Sequence, residues 1–268
     1  GEDDLMILED FHVHTPWCDG RDDAETIVRR AVELGMTRLG FSGHAHTPCD
    51  ESYCMSPKKT LAYQREIESL RLKYADRIAV LCGIEQDLFA DPADDDLDYA
   101  IGSAHYLNFG SEYVPVDEKP ELLLEAAQKH CNGDIYGLVE RYYEQEATVI
   151  ERTHADLIGH FDLITKFNEG NRLFDEESPR YLDAAFAALD ALLETGRPFE
   201  VNTGAISRGY RSRPYPALPL LKRIAQKGGR VVLSSDSHSA ATLCAHFSEA
   251  TALCESVGLK PEPFRVWE

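Results

Sequence analysis

The chain has 268 residues, with 47 acidic side chains against 27 basic ones and a formal net charge of -20. A field of this sign repels phosphate backbones and anionic lipids, so we expect neither nucleic acid nor a membrane surface as a partner. Seven cysteines without a CxxC pair are typical of free thiols in a reducing compartment. No segment has the pattern of a signal peptide or the length of a membrane span, and we therefore expect a cytoplasmic protein.

Short apolar runs alternate with stretches of helical periodicity along the chain. The runs are LMILEDFHVH, TRLGFSGHAH, RIAVLCGIEQD, DYAIGSAHYL, DLIGHFDLI, PFEVNTGA and RVVLSSDS. Helical patterns follow them at DDAETIVRRAVELG, PKKTLAYQREIESLRLKYAD, Lys119 to His154, SPRYLDAAFAALDALLETG, PALPLLKRIAQKGG and Ala240 to Val257. Apolar strands joined by helices are typical of a parallel sheet buried on both faces.

Seven strand and helix units predict an α/β fold, a distorted, TIM-like (β/α)7 barrel. No Pro/Gly/Ser-rich linker divides the chain, so we expect residues 1–268 to form one domain. Enzymes on parallel barrels place their chemistry at the C-terminal ends of the strands, and we expect the active site there.

Nine residues of metal-ligand type lie at or just after the ends of the predicted strands. His12 and His14 are one residue apart, so on an extended strand both imidazoles point to the same face. His130, His154 and His246 follow no strand, and we interpret them as structural or surface residues. Imidazole nitrogens and carboxylate oxygens bind zinc, iron and manganese, so the pattern predicts a metal centre. The nine residues are His12, His14, Asp19, His44, Glu85, His105, His160, Asp236 and His238.

Seven motifs in this order resemble those of the PHP (polymerase and histidinol phosphatase) superfamily, and most closely its histidinol-phosphate phosphatase branch. They are FHVHTPWCDG, SGH at 42–44, GIEQD, SAHY, IGHFDLI, EVNTGA and SSDSH. The resemblance implies three metal ions. The first is held by His12, His14, Glu85 and Asp236, the second by Glu85, His105 and His160, and the third by Asp19, His44 and His238. Asp19 stands where the wider superfamily often has a histidine, and the alternative for it is the N-cap of the following helix.

The charges of this ligand set agree with the resemblance. Three carboxylates and three divalent ions leave a net positive pocket that suits a phosphate dianion. Hydroxide bound to the ions would then attack phosphorus in line. Zinc, iron and manganese all fit the mixed nitrogen and oxygen ligands.

Cationic side chains near these motifs are candidates for phosphate binding. Arg208 is the first candidate because it follows the NTxG-like turn, and Arg211 and Arg213 lie just beyond it. Lys166 stands where the phosphatase branch commonly has arginine or lysine. His46 is a further candidate for contact with the substrate or for proton donation to the leaving oxygen, unless it is a surface residue. Asp162 is a candidate for orienting His160 or for binding a substrate ammonium group.

The function that we expect is metal-dependent hydrolysis of L-histidinol phosphate to L-histidinol and phosphate, a step of histidine synthesis. Glu85, Asp236, His238 and Arg208 would be the catalytic residues, and a small phosphate monoester would be the partner. The alternatives are a PHP-type phosphoesterase acting on a nucleotide or another small ester, a metal-binding barrel without catalysis, and an amidohydrolase-like barrel. The sequence predicts no oligomeric state.

Overall fold

In a computed structural model, which describes residues 8–93 and 96–266, seven parallel strands form the central sheet. Their order is β1-β2-β3-β4-β7-β8-β9, so strands that follow each other along the chain are neighbours. The strands are β1 Glu9–Asp10, β2 Arg38–His44, β3 Ala79–Asp87, β4 Tyr99–Ser103, β7 Leu157–Ile158, β8 Phe199–Asn202 and β9 Val231–Ser234.

The first and last strands meet and close the barrel. Beyond the ends of β1 and β9, Val13 pairs with Ser237 in parallel. The His14 amide donates to the Ser237 carbonyl at 2.8 Å, and the Ser237 amide donates to the His12 carbonyl at 3.0 Å. These contacts confirm the predicted distorted barrel of seven strands.

Helices cover the outer face of the barrel, and several begin at the capping residues that the sequence provides. The side chain of Asp23 caps α1, and Ser56 and Ser178 cap α2 and α6, each before a proline. The helices are α1 Ala24–Glu33, α2 Pro57–Lys73, α3 Pro120–His130, α4 Ile135–Glu146, α5 Val149–Thr153, α6 Pro179–Leu193, α7 Gly204–Ser207, α8 Leu218–Gln226 and α9 Phe247–Ser256. None of the described helices has the length and hydrophobicity that a bilayer crossing requires.

Two predicted helical segments are interrupted. The segment from Lys119 to His154 forms α3, α4 and α5, and a left-handed turn at Asn132 and Gly133 separates the first two. The segment from Ala240 to Val257 begins with a 3-10 turn at Ala240–Thr242 and continues as α9 only after left-handed residues at Cys244 and His246. The structure also contains an unpredicted antiparallel hairpin, formed by β5 Tyr106–Phe109 and β6 Glu112–Pro115.

Tyr99 belongs to a buried apolar cluster with Phe11, Ile101, Leu157, Val232 and Phe264. The hydroxyl of Tyr99 donates to the carbonyls of Phe11 at 2.5 Å and Phe41 at 3.0 Å, and so joins β4 to the regions of β1 and β2. A Cβ atom on Gly40 or Gly83 would collide with the Tyr99 ring. Glycine at these positions therefore leaves room for the ring.

Candidate active site

The structure brings all nine predicted ligands together at the C-terminal ends of the strands. His12, His14 and Asp19 follow β1, His44 ends β2, Glu85 lies near the end of β3, and the others follow β4, β7 and β9. Parallel pairing places His44 directly beside Glu85. Eight of the nine form three overlapping groups whose ligand atoms lie within 4.8 Å of one another in each group. The groups are His12, His14, Glu85 and Asp236; His14, Asp19, His44 and His238; and His44, Glu85 and His105.

The first group is fully enclosed. Nε2 of His12 lies 2.7 Å from Oε1 of Glu85 and 3.2 Å from Oδ1 of Asp236. Nε2 of His14 lies 3.2 Å and 3.1 Å from the same two oxygens. Four ligand atoms of two chemical types therefore converge on one point, as a bound divalent ion requires.

The other oxygen of Glu85 faces two further imidazoles. Oε2 lies 3.2 Å from Nε2 of His105 and 3.2 Å from Nε2 of His160, yet it has no hydrogen-bond partner among the described residues. A buried carboxylate oxygen without a partner is costly. An ion held between this oxygen and the two rings would satisfy it.

Asp19 connects the remaining histidines. Its Oδ1 lies 3.4 Å from Nε2 of His44, and its Oδ2 lies 3.3 Å from Nε2 of His238. The ring of His14 stacks on the rings of both histidines with centroid distances of 4.3 Å. Asp23, and not Asp19, is the N-cap of α1, so the capping alternative for Asp19 does not apply.

Electrostatics keep the carboxylates of this centre ionised. Burial alone would raise the pKa of Glu85, but the charges of His12, His44 and His105 hold that pKa well below its usual value. Burial also opposes ionisation of Asp236, and His12 and a hydrogen bond from His14 again keep its pKa well below normal. Both side chains are thus negatively charged and available to a cation.

A cavity of about 430 Å³ opens above these residues. On one side Nη1 of Arg208 donates to the Asp236 carbonyl at 2.9 Å and lies 3.3 Å from Nδ1 of His238. On the same side the Lys166 ammonium donates to the carbonyl of Asp117 at 2.8 Å and lies 4.5 Å from the ring centre of Tyr210. Burial lowers the pKa of Lys166.

The cavity lining also includes an acidic wall, which we define as Asp50, Tyr53, Tyr106 and Glu118. The Tyr106 hydroxyl donates to Oδ2 of Asp50 at 2.9 Å, and Oδ1 of Asp50 accepts the Ser52 amide at 3.2 Å. The Tyr53 ring packs edge-on to His44 at 4.7 Å. The cavity lining therefore contains both cationic side chains and carboxylates.

Two predicted substrate contacts do not reach this cavity. Both ring nitrogens of His46 are paired elsewhere, Nδ1 with Asp91 at 2.7 Å and Nε2 with Glu51 at 2.8 Å. Asp162 is buried beneath the site, where Oδ2 accepts the Ala217 amide at 3.0 Å, and burial raises its pKa to about 7. It does not orient His160, whose Nδ1 has no hydrogen-bond partner among the described residues.

Of the other two arginines, Arg211 is committed to a structural ion pair. Its Nη2 donates to Glu176 at 2.9 Å, and the side chain does not line the cavity. Arg213 is exposed on the same loop. Arg208 is therefore the arginine of this loop that faces the predicted ligands.

Comparison with known families gives this arrangement a name. The model of the PHP domain matches residues 10–204, which include seven of the nine predicted ligands. The chain belongs to the PHP domain family. Asp236 and His238 lie beyond the matched residues, and the parallel pairing of Val13 with Ser237 brings them to the other PHP motifs.

Several PHP relatives share most of the chain. A "probable histidinol-phosphatase" of Deinococcus radiodurans is 28% identical over 96% of this chain and 96% of its own length. The histidinol-phosphatase of Bacillus subtilis is 26% identical over 88% of this chain and 95% of its own. The same fold occurs in histidinol phosphate phosphatase from Lactococcus lactis, solved with zinc, L-histidinol and phosphate, at a TM-score of 0.72 and 18% identity over 98% of each chain.

Two further carboxylates that contact predicted ligands are absent from the predicted set. Asp87 accepts hydrogen bonds from Nδ1 and the main-chain amide of His105, and Glu200 lies 2.7 Å from Nδ1 of His12. Both are carboxylates within apolar strands, and Asp87 stands two residues from Glu85, on the same face. A charged residue inside a buried strand is the signal that could have identified them.

Proposed function

We propose that this protein is a metal-dependent histidinol-phosphatase, which hydrolyses L-histidinol phosphate to L-histidinol and phosphate. The observation that supports it best is the placement of the ligand groups at a cavity whose lining contains Arg208 and Lys166 as well as the acidic wall. The substrate has the complementary charges, a phosphate at one end and an amine and an imidazole at the other. The names of the full-length relatives support the same reaction.

We further propose that the centre holds three ions of zinc, iron or manganese, on the ligand sets that the family resemblance implies. The donor types fit these metals, and the unpartnered Oε2 of Glu85 between His105 and His160 fits an ion better than an empty site. When bound, such ions polarise the phosphoryl oxygens and lower the pKa of water to about 7.

The chain's own residues would orient the ester. Arg208 lies beside Asp236 and His238, and its guanidinium can donate paired hydrogen bonds to phosphate oxygens. Lys166 would add a second positive charge at the same end. With the phosphate held there, the alcohol end of the substrate extends towards the acidic wall. Water then adds to phosphorus, the ester P–O bond breaks, and the departing oxygen takes a proton to become the hydroxyl of histidinol.

Comparison of substrates tests this proposal. We expect phosphate release from L-histidinol phosphate to exceed release from nucleoside monophosphates and from single-stranded DNA by at least tenfold in kcat/KM. Faster turnover of a nucleotide would instead identify another PHP phosphoesterase. Glu85→Ala and Asp236→Ala should both lose activity and bound metal, whereas wild-type phosphate release by both variants would contradict metal-dependent hydrolysis.

A further inference from the structure

Glu200 is a fully buried carboxylate in β8 that accepts four hydrogen bonds. Its Oε2 lies 2.7 Å from Nδ1 of His12 and accepts the Ser234 hydroxyl at 2.5 Å. Its Oε1 accepts the main-chain amide of His160 at 2.6 Å and the side-chain amide of Asn202 at 2.8 Å. A carboxylate has about four acceptor positions, so all of them are used.

The contact with His12 determines which ring nitrogen is free. Because an ionised carboxylate only accepts hydrogen bonds, Nδ1 of His12 must carry the proton that it donates to Glu200. When an ion is bound, Nε2 is then the nitrogen left to ligate it, at the point where Glu85 and Asp236 converge. A carboxylate behind a ligating histidine typically fixes the ring orientation and raises its basicity.

The other oxygen of Glu200 supports a different ion site. It holds the main chain of His160, whose Nε2 lies 3.2 Å from Oε2 of Glu85. Asn202, which donates to the same oxygen of Glu200, also donates to Oδ2 of Asp236 at 3.2 Å. Asp87 differs from Glu200 in this respect. In the part of the chain that the structure describes, His105 is the only predicted ligand that the Asp87 carboxylate contacts.

We propose that Glu200 is a positioning residue that sets the geometry of two ion sites at once, the site of His12 and the site of His160. The inference rests on the ligand sets of the proposed function. It implies that loss of Glu200 weakens two ions together, whereas loss of Asp87 weakens only the ion bound by His105.

Metal titration of chelator-treated protein tests this inference without an activity assay. We compare Glu200→Ala with Asp87→Asn and with Glu9→Ala, a truncation of another buried strand glutamate, which pairs with Arg38. With zinc or manganese and a competing chelator, we expect Glu200→Ala to weaken two ions by about 10- to 100-fold. Asp87→Asn should weaken one ion, and Glu9→Ala should weaken none.

The spectrum of His12 separates positioning from a general structural role. In the wild type, ¹⁵N NMR of metal-loaded protein should show the proton of His12 on Nδ1, and the variant should lose this single state. If the metal-free variant only unfolds at a lower temperature, with unchanged ion affinities and an unchanged His12 spectrum, the proposal is overturned.

A milder variant decides the question if Glu200→Ala does not fold. Glu200→Gln replaces one of the two oxygens with an NH₂ group, which cannot accept the hydrogen bonds donated on that side. At least one of the two ions should therefore bind about 10- to 100-fold more weakly. Unchanged affinities for every ion would overturn the proposal. Wild-type protein that binds the ions but does not turn over L-histidinol phosphate would contradict the proposed function and leave the role of Glu200 intact.

Discussion

At the scale of single residues, Glu85 joins the candidate ion sites. One of its oxygens lies 2.7 Å from His12, and the other lies 3.2 Å from both His105 and His160. Its parallel neighbour His44 belongs to two of the three ligand groups. A change at Glu85 would therefore disturb more than one ion, whereas a change at the edge of the pocket would act mainly on substrate binding.

Arg208 is such an edge residue, and Arg213 on the same loop is its matched control. We expect Arg208→Ala to lower kcat/KM for L-histidinol phosphate by about 10- to 100-fold, since hydrogen bonds to charged groups contribute about 1.5–3 kcal/mol. Arg213→Ala should change it less than about twofold, because that side chain is exposed. Steady-state kinetics with metal-saturated protein measure both, and equal losses in the two variants would exclude a specific phosphate contact by Arg208.

The convergence of the predicted ligands could be foreseen from the sequence because all of them except Asp19 lie within four residues of a strand end. His46 shows where this reasoning stops. Its spacing from His44 implies a shared face only if the strand continues, but β2 ends at His44 and the chain turns away. Glu200 was missed for a related reason. It supports ligands through hydrogen bonds across three strands, and no local pattern records such contacts.

At the scale of elements, the β5–β6 hairpin and the loop after β2 build the acidic wall. The seven barrel strands were predictable because each is a continuous apolar run. The hairpin strands YLNF and EYVP are short and partly exposed, so neither alternation nor a buried run marks them. Tyr106 at the start of the hairpin hydrogen-bonds Asp50 of the loop, and this contact joins the two elements.

The acidic wall predicts a preference for cationic esters that a single substitution should reduce. We expect Asp50→Asn to lower kcat/KM for L-histidinol phosphate by about tenfold, because an amide keeps the shape of the side chain but loses its charge. Phenyl phosphate, which has no cationic group, should be hydrolysed as by the wild type. Asp76→Asn, at an exposed residue, is the control. A parallel loss on both esters would show that Asp50 supports the fold of the pocket and does not select the substrate.

At the scale of the whole molecule, closure of the barrel and binding of metal involve the same residues. The hydrogen bonds that join the ends of β1 and β9 use the main chain of His12 and His14 on one side and Ser237 on the other. Asp236 and His238 flank Ser237, so four predicted ligands surround the closing contact. Buried carboxylates and imidazoles also lie where β1 and β9 meet, and in the absence of ions the charge of each shifts the pKa of the others. Ions bound there would stabilise the closed barrel, since binding to the folded state alone raises its free energy of unfolding.

Removal of metal should therefore lower the unfolding temperature as well as abolish activity. One ion present at 100 times its dissociation constant contributes about 2.7 kcal/mol, and each kcal/mol corresponds to roughly 2–4 °C for a chain of this size. We expect a strong chelator to lower the unfolding temperature by at least about 5 °C, and zinc or manganese to restore it. Glu85→Ala, which removes the residue shared by the sites, should show a much smaller response to the chelator. Calorimetry measures the unfolding temperature of both proteins. If chelation leaves that of the wild type unchanged, metal binding does not stabilise the closed barrel.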